Sequence, residues 1–179
     1  AAKSILATLG AFTACSSTLT IVPGAIASIA VSSCNSQSAV VGTVLSPFVS
    51  IVRDANANVI SGATVAWVVS SGGGSLSSAS NATDASGLSP STLTLGTTTG
   101  ANTVTASTAG FNVLFSATGT VGAANKLAFT TAPSSSGFAA TVLTQQPIVA
   151  VQDANNNTVT SNTDVITLDI YSNAICTTA

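Results

Sequence analysis

A repeat with a period just under 100 residues constrains what this chain can fold into more than any other feature. An Asp-Ala-Asn-x-Asn motif occurs twice, and its first residues, Asp54 and Asp153, lie 99 positions apart. Two further pairs of matching segments have separations of 98 and 99 positions: residues 24–31 with 122–129, and residues 4–7 with 103–106. Three landmarks with one period indicate that the chain contains more than one copy of the same structural unit.

The composition favours strands and turns over helices. Only 4% of the residues are charged, against about 25% in an ordinary globular domain. Ser, Thr, Val, Ala, Gly and Asn are abundant, whereas the long straight-chain helix formers are scarce. Strand-like runs occur at residues 28–31, 47–52, 64–69, 92–95, 102–107 and 112–117. Short strands within a period of this length are typical of an immunoglobulin-like β-sandwich.

Alternation within these runs predicts which side chains form the core. Val104 and Ala106 in one run, and Val113, Phe115 and Ala117 in the next, share one face of a strand each and are predicted to face inward. Trp67 is the only Trp and lies in an apolar run, so we interpret it as a core residue. The turn-rich residues 84–87 and 95–100 are predicted to form hairpin turns.

Several motifs carry a family resemblance. They are residues 52–58, 62–67, 73–76, 83–87, 93–97 and 103–106. In this order and spacing, the segment from Ile26 to Thr120 resembles the bacterial Ig-like (Big-1-like) domains of invasin- and intimin-type surface proteins. Residues 126–170 resemble the first half of a related repeat of large secreted proteins. The resemblance implies an extended stalk or fibre outside the cell, and it brings no catalytic residues.

The repeat predicts three parts. Residues 1–25 correspond to the C-terminal strands of a split Ig-like domain and are possible donor strands, residues 26–123 form a complete sandwich, and residues 124–179 form the N-terminal half of a second domain. A half sandwich exposes strand edges and an apolar face, so something must complete it. The expected fold is all-β, with tandem Ig-like sandwiches of which one is complete and one is split between the two chain ends.

Two explanations of the split domain stay open, and a third function belongs to a different class. The chain is a subunit of a pilus-like filament in which each copy completes the next by β-strand complementation, head to tail. Alternatively, it is a stalk or spacer segment of a giant single-chain adhesin. The third function, a carbohydrate- or receptor-binding module, would need exposed aromatic residues, and these are few. The expected location is extracellular or at the cell surface, and the expected partners are further copies of the chain and host or neighbouring cell surfaces.

Charge and composition exclude other classes. Three basic residues, Lys3, Arg53 and Lys126, and a net charge of −2 give no footprint for nucleic acid. No apolar run has the length of a membrane span. Without His or Glu the chain lacks the usual general acids and bases, so we expect no enzyme activity and no cofactor. Residues 3–15 also resemble the end of a lipoprotein signal with Cys15 as its lipidation site, but the repeat accounts for the same residues.

Candidate site residues remain few. Cys15 and Cys176 are expected to bridge neighbouring subunits, with Cys15–Cys34 as the intrachain alternative and small buried thiols as the structural one. The oxygen spacing of the repeated motif weakly indicates calcium, although Asp and Asn also favour such turns without metal. The calcium candidates are Asp54, Asn56, Asn58, Asp153, Asn155 and Asn157. Asn81 and Asn156 begin glycosylation sequons in predicted loops.

Overall fold

The chain is built from short β-strands. The computed structural model describes residues 2–138 and 140–170, and within them there are sixteen strands and no helix. The strands are β1 (Ala2–Lys3), β2 (Leu6–Leu9), β3 (Phe12–Cys15), β4 (Leu19–Thr20), β5 (Ile26–Ser33), β6 (Gln37–Val40), β7 (Phe48–Asp54), β8 (Thr64–Ser71), β9 (Ser75–Leu76), β10 (Ser80–Ala82), β11 (Leu88–Ser91), β12 (Leu93–Thr94), β13 (Gly100–Thr108), β14 (Phe111–Thr120), β15 (Lys126–Thr131) and β16 (Ile148–Gln152). The predicted all-β class is confirmed. The chain divides into two compact units, Ala1–Thr120 and Val121–Ala179.

Two facing sheets form the body of the first unit. One has the strand order β10-β8-β13-β14-β6, and the other has the order β11-β7-β5. Phe48 of the second sheet packs on Phe115 of the first, with ring centroids 5.1 Å apart, and Trp67 lies 5.3 Å from the same ring. All three side chains are at most 1% exposed. Because the core is shared by both sheets, the unit is a β-sandwich.

Period-two alternation separates the core from the outer face. Val104 and Ala106 of β13 are fully buried, and the intervening Thr105 is only half-buried. On the outer face, the Thr105 hydroxyl pairs with that of Ser70 at 2.6 Å. The Trp67 indole N–H donates to the Ser89 hydroxyl at 3.3 Å, which satisfies the one polar group of that buried ring. Hydroxyl pairs of this kind give the outer face a polar surface that needs little charge.

The turns at residues 84–87 and 95–100 are not hairpin turns, contrary to the sequence-based prediction. The first joins β10 of the five-stranded sheet to β11 of the three-stranded sheet. The second joins β12, which pairs with β9, to β13. Asp84 closes the first turn by accepting the N–H groups of Ser86 and Leu88 at 2.8 and 2.9 Å. Turn residues predict a change of direction, but the partner of the next strand depends on distant contacts.

The second unit contains the antiparallel pair β15–β16 and the turn that follows it. Asp153 closes this turn, and the Val159 N–H returns to the Val151 carbonyl at 2.8 Å. Residues 163–170, which follow this turn, form no β-strand.

Candidate functional site: the N-terminal hairpin and the second unit

The β2–β3 hairpin repeats the β13–β14 hairpin, pair for pair. Cross-strand pairs in the first are Leu6–Cys15, Ala7–Ala14, Thr8–Thr13 and Leu9–Phe12; 99 positions later they become Thr105–Leu114, Ala106–Val113, Ser107–Asn112 and Thr108–Phe111. Both turns begin with a residue of left-handed backbone, Gly10 at φ 59° and Ala109 at φ 49°. The N-terminal segment therefore has the register of the hairpin that lies between β8 and β6 in the complete sandwich.

The β15–β16 pair repeats the β5–β7 pair with the same fidelity. The pairs Ser28–Arg53, Ile29–Val52, Ala30–Ile51, Val31–Ser50 and Ser33–Val49 become Lys126–Gln152, Leu127–Val151, Ala128–Ala150, Phe129–Val149 and Thr131–Ile148. In each pair of strands the register shifts just before the last paired residues, after Val31 in β5 and after Phe129 in β15. In the turns that follow, Ala57 and Asn156 both have left-handed backbone, at φ 64° and 70°. The second unit thus starts as a copy of the complete sandwich.

Asp54 closes its turn and holds the segment that enters the sandwich. Its side chain is 5% exposed, and its carboxylate accepts the N–H groups of Asn56 and Asn58, both at 2.9 Å. The Asn58 amide group and the Gly24 N–H donate to the second carboxylate oxygen at 3.0 and 2.8 Å. These hydrogen bonds, that of the Asn58 side chain foremost, lower the pKa of Asp54 to about 2 although burial opposes the shift.

Asp153 repeats this arrangement in the second unit. It is 1% exposed and accepts the N–H groups of Asn155 and Asn157 at 2.8 and 2.9 Å. The Asn157 amide also donates to it at 2.9 Å, and the Gly122 N–H does so at 3.1 Å. Burial raises the pKa of Asp153, but the hydrogen bonds from Asn157, Gly122 and Asn155 outweigh it and lower the pKa to about 2.

The repeated motif is organised as a hydrogen-bonded turn. Both carboxylate oxygens of Asp54 and of Asp153 already accept N–H groups, so their lone pairs point at donors and not at a common cation position. Within residues 2–138 and 140–170, no three His, Cys, Asp or Glu residues are grouped as a metal site. The calcium candidates therefore have a structural use that needs no metal.

The second unit has an open groove where the complete sandwich has its core. Its volume is about 530 Å³, and Leu127, Val151 and Ile166 contribute to its lining. Their counterparts one repeat earlier are the core residues Ile29, Val52 and Trp67, which are 8%, 0% and 1% exposed. Leu127, by contrast, is 58% exposed and Ile166 37%. The apolar lining of a sandwich interior is thus accessible in the second unit.

Residues 163–170 correspond to β8, and four of them, residues 164–167, line this groove. Ile166, Leu168 and Ile170 alternate with Thr167 and Asp169, as in a half-buried strand. In the complete sandwich, β8 pairs with β10 on one side and β13 on the other. Within the described part of the second unit this strand-like segment has no ladder partner. Its backbone edges are therefore available for strand addition.

The thiols and sequons lie apart from the groove or outside the described residues. Cys15 and Cys34 are exposed and are not joined to each other. Cys176 lies outside the described residues, so its bridge to a neighbour's Cys15 stays a prediction. Asn81 is on strand β10 and not in a loop, contrary to prediction, and its amide donates to the Pro90 carbonyl. Asn156 is in an exposed turn, where its side chain accepts a hydrogen bond from Lys126.

Comparisons with known proteins give matches among solved structures alone. No family model matches the chain, and no curated protein matches it. Among solved structures, domains 4 and 5 of the S-layer protein SbsC are 18% identical, over 66% of this chain and 57% of that chain, with a TM-score of 0.45. The D00-D0 domain of intimin is 19% identical, over 60% of this chain and 58% of that chain, with a TM-score of 0.43.

A longer intimin structure also matches. It is a C-terminal 282-residue fragment in complex with the intimin-binding domain of the translocated intimin receptor, 22% identical over 59% of this chain and 35% of that chain, with a TM-score of 0.43. The chain spans less than two thirds of each of these three structures. The three matched structures are domains of an S-layer protein and of intimin. No helix in the described segments is long and apolar enough to cross a membrane.

Proposed function

We propose that this chain is a structural subunit of an extracellular filament, in which Ig-like sandwiches polymerise head to tail by β-strand complementation. One observation carries the proposal. The β2–β3 hairpin has the register of β13–β14, and the second unit repeats the strands that this hairpin joins in the complete sandwich. The predicted parts 1–25 and 124–179 are then two portions of one domain, and residues 26–123 form a complete domain between them.

The described residues of the two parts supply the central strands of a sandwich. Residues 126–131 and 148–152 repeat β5 and β7, the β2–β3 hairpin repeats β13–β14, and residues 163–170 correspond to β8. In the complete sandwich, β8, β13 and β14 are the inner strands of one sheet and β7 is the inner strand of the other. A domain made of these counterparts keeps the central strands of both sheets and an apolar interior.

The surface chemistry fits a protein that assembles outside the cell. With 4% charged residues, hydroxyl and amide groups provide most of the polar surface. A surface of low charge gives little protection against self-association, which is useful in a subunit that must assemble. We place the filament at the cell surface and assign it a structural role without catalysis.

Two matched substitutions test this function. Ile5 and Leu6 are adjacent and similarly exposed, at 63% and 58%, but they lie on opposite faces of the hairpin. Ile5 corresponds to the buried Val104 and Leu6 to the outer-face Thr105. Electron microscopy and light scattering should show filaments for the wild type and for Leu6→Asp, and their loss for Ile5→Asp. A monomeric wild type, or equal behaviour of the two variants, would contradict the proposal.

A further inference from the structure

We infer that the hairpin of one copy inserts into the second unit of another copy in one defined register, with Ala7 opposite Ile166 and Ile5 opposite Leu168. The partner is a second copy of this chain, and the strand addition is antiparallel along residues 165–168. This inference rests on the proposed function and deepens it.

The register comes from the ladder between β13 and β8. Its partners are Val104–Val69, Thr105–Val68, Ala106–Trp67 and Ser107–Ala66. A shift of 99 positions converts them into Ile5–Leu168, Leu6–Thr167, Ala7–Ile166 and Thr8–Val165. The same shift converts each β2–β3 pair into a β13–β14 pair. It also converts the β7 residues 49–53, which pair with β5, into the β16 residues 148–152, which pair with β15. An internal copy of the completed structure therefore gives the expected alignment.

The other edge of the hairpin follows from the parallel ladder between β14 and β6, whose partners are Ala117–Gln37, Thr118–Ser38 and Gly119–Ala39. Lys3 pairs with Leu19, and its counterpart Asn102, 99 positions later, pairs with Ala117. Leu19 therefore corresponds to Ala117, so the separation between matching residues is 98 positions from Leu19 onward. On the partner side the separation is also 98 positions, because Ser33 corresponds to Thr131 and residues 43–46 correspond to 141–144. The converted partners are Leu19–Ser135, Thr20–Ser136 and Ile21–Gly137. The hairpin thus inserts between residues 135–137 on one side and 165–168 on the other.

The faces of the hairpin suit this position. Ile5, Ala7, Leu9, Phe12 and Ala14 share one face by their cross-strand pairing and are apolar. Lys3 and Ser16 are the polar residues at the end of the same face. In the complete sandwich, the counterpart face carries Val104 and Ala106 into the core. The same orientation directs the apolar face of the hairpin at the groove of the second unit. The opposite face, with Thr8 and Thr13, then points to solvent.

Side-chain volumes are redistributed between the two domains. Ser16 and Ile166 stand at the positions of Phe115 and Trp67, so the split domain lacks the central aromatic pair. Larger residues elsewhere offset part of this loss of volume: Phe129 replaces Val31, and Leu19 replaces Ala117. Phe129 is 61% exposed, and Leu19 is 47% exposed. Residues of both parts thus contribute to one interior.

The path of the chain favours a second copy over the chain's own hairpin. The chain enters the sandwich at Gly24, beside Asp54, and reaches Thr64 ten residues after that Asp. The Thr64 carbonyl accepts the Thr108 hydroxyl at 2.8 Å, near the β13–β14 turn. Strand β14 then runs ten residues to Thr120, which at about 3.3 Å per residue is roughly 30 Å away. Within the first unit, Gly24, where the chain enters the sandwich, and Thr120, where it leaves, therefore lie at opposite ends.

Disulfide trapping between two proteins tests the partner and the register. All variants carry Ser at positions 15, 34 and 176 in place of Cys. One protein has Ala7→Cys, and a second has Ile166→Cys or, as the out-of-register control, Ile170→Cys. After electron microscopy has verified co-assembly, mild oxidation should give about tenfold more covalent dimer with Ile166→Cys than with Ile170→Cys, because a disulfide needs closely spaced Cβ atoms. Ile5→Cys with Leu168→Cys provides an independent in-register pair.

Each outcome has a distinct meaning. Preferential trapping of both in-register pairs supports the inference. Assembled filaments with preferential trapping at Ile170 would overturn the register and leave the filament function standing. A chain carrying both Ala7→Cys and Ile166→Cys that closes on itself as a covalent monomer would identify its own hairpin as the occupant. Absence of assembly at the microscopy step would overturn both the inference and the proposed function.

Discussion

The Asp54 carboxylate accepts a hydrogen bond from the Gly24 backbone N–H at 2.8 Å, where the chain enters the sandwich. Ninety-nine positions after that Asp, Asp153 accepts the Gly122 N–H at 3.1 Å. Each repeat therefore begins with the same contact between an entering segment and a closed turn. The contact explains why the Gly and Asp landmarks recur together, since each needs the other to satisfy its hydrogen-bonding groups.

The Asp54 and Asp153 turns predict a dependence of stability on pH. Their pKa values of about 2 lie below the ordinary 3.8, so folding is favoured by ionisation. The stabilisation is present above the unfolded pKa and is lost as the pH falls towards the folded pKa. Circular dichroism melts should give a steady Tm down to about pH 5 and a fall between about pH 4 and pH 2. In Asp54→Asn this fall should be smaller, whereas Asp169→Asn, a change of an exposed carboxylate, should keep it.

Trp67 anchors the core of the complete sandwich. Because it is 1% exposed and packs on Phe115, Trp67→Ala should cost about 3–5 kcal/mol of unfolding free energy. Val68, the next residue, is 58% exposed, and Val68→Ala should change stability by less than about 0.5 kcal/mol. Denaturant titrations followed by circular dichroism compare the two variants. Similar losses of unfolding free energy in the two variants would contradict the assignment of Trp67 to the core.

Substitutions at Gly74 and Gly42 distinguish the stability cost of a strained backbone from that of a steric clash. Both have left-handed φ, 95° at Gly74 and 77° at Gly42. A Cβ at Gly74 would collide with the Thr94 carbonyl oxygen, whereas one at Gly42 would meet nothing within 4 Å. Gly42→Ala should therefore cost about 1–2 kcal/mol and Gly74→Ala about 3 kcal/mol or more. Equal losses in chemical denaturation would argue against this packing of residues 72–74.

The repeated turns should be insensitive to chelator. The carboxylates of Asp54 and Asp153 are occupied by N–H donors, so the turns close without a cation. Thermal melts with excess EDTA and with millimolar calcium should agree to within about 1 °C, since a ligand stabilises only a state that binds it. A Tm that rises with calcium concentration would show that a metal displaces these donors.

Much of the fold follows from patterns that depend on local sequence. The period located the repeated segments, and alternation identified the inward residues Val104, Ala106, Phe115 and Ala117, all of which are at most 3% exposed. Val113, the fifth residue predicted to face inward, is half-buried and packs against the core. Strands β6 and β10 were not predicted because Gln37–Val40 and Ser80–Ala82 are short and polar. Edge strands of this kind are fixed by the neighbour that they pair with, and their own apolar pattern is weak.

The candidate site was only partly accessible from the sequence. The matching segments at the two ends indicated a split domain, but the pairing of Gly24 with Asp54 was missed although both belong to matched landmarks. The segment that begins at Gly24 and the turn that begins at Asp54 recur after nearly the same number of positions, and this shared separation is the signal that could have linked the two residues. The groove of the second unit could not be predicted, because the accessibility of Leu127 and Ile166 depends on which strands cover them.

The intact mass of the native polypeptide tests the central claim most directly. Filamentous material from the producing cells would be fully denatured and reduced, and its polypeptide mass measured. Subunits completed by strand exchange predict a value near 17.3 kDa from material that was filamentous beforehand. A polypeptide of hundreds of kilodaltons would contradict the account, because these residues would then be one segment of a larger single-chain protein.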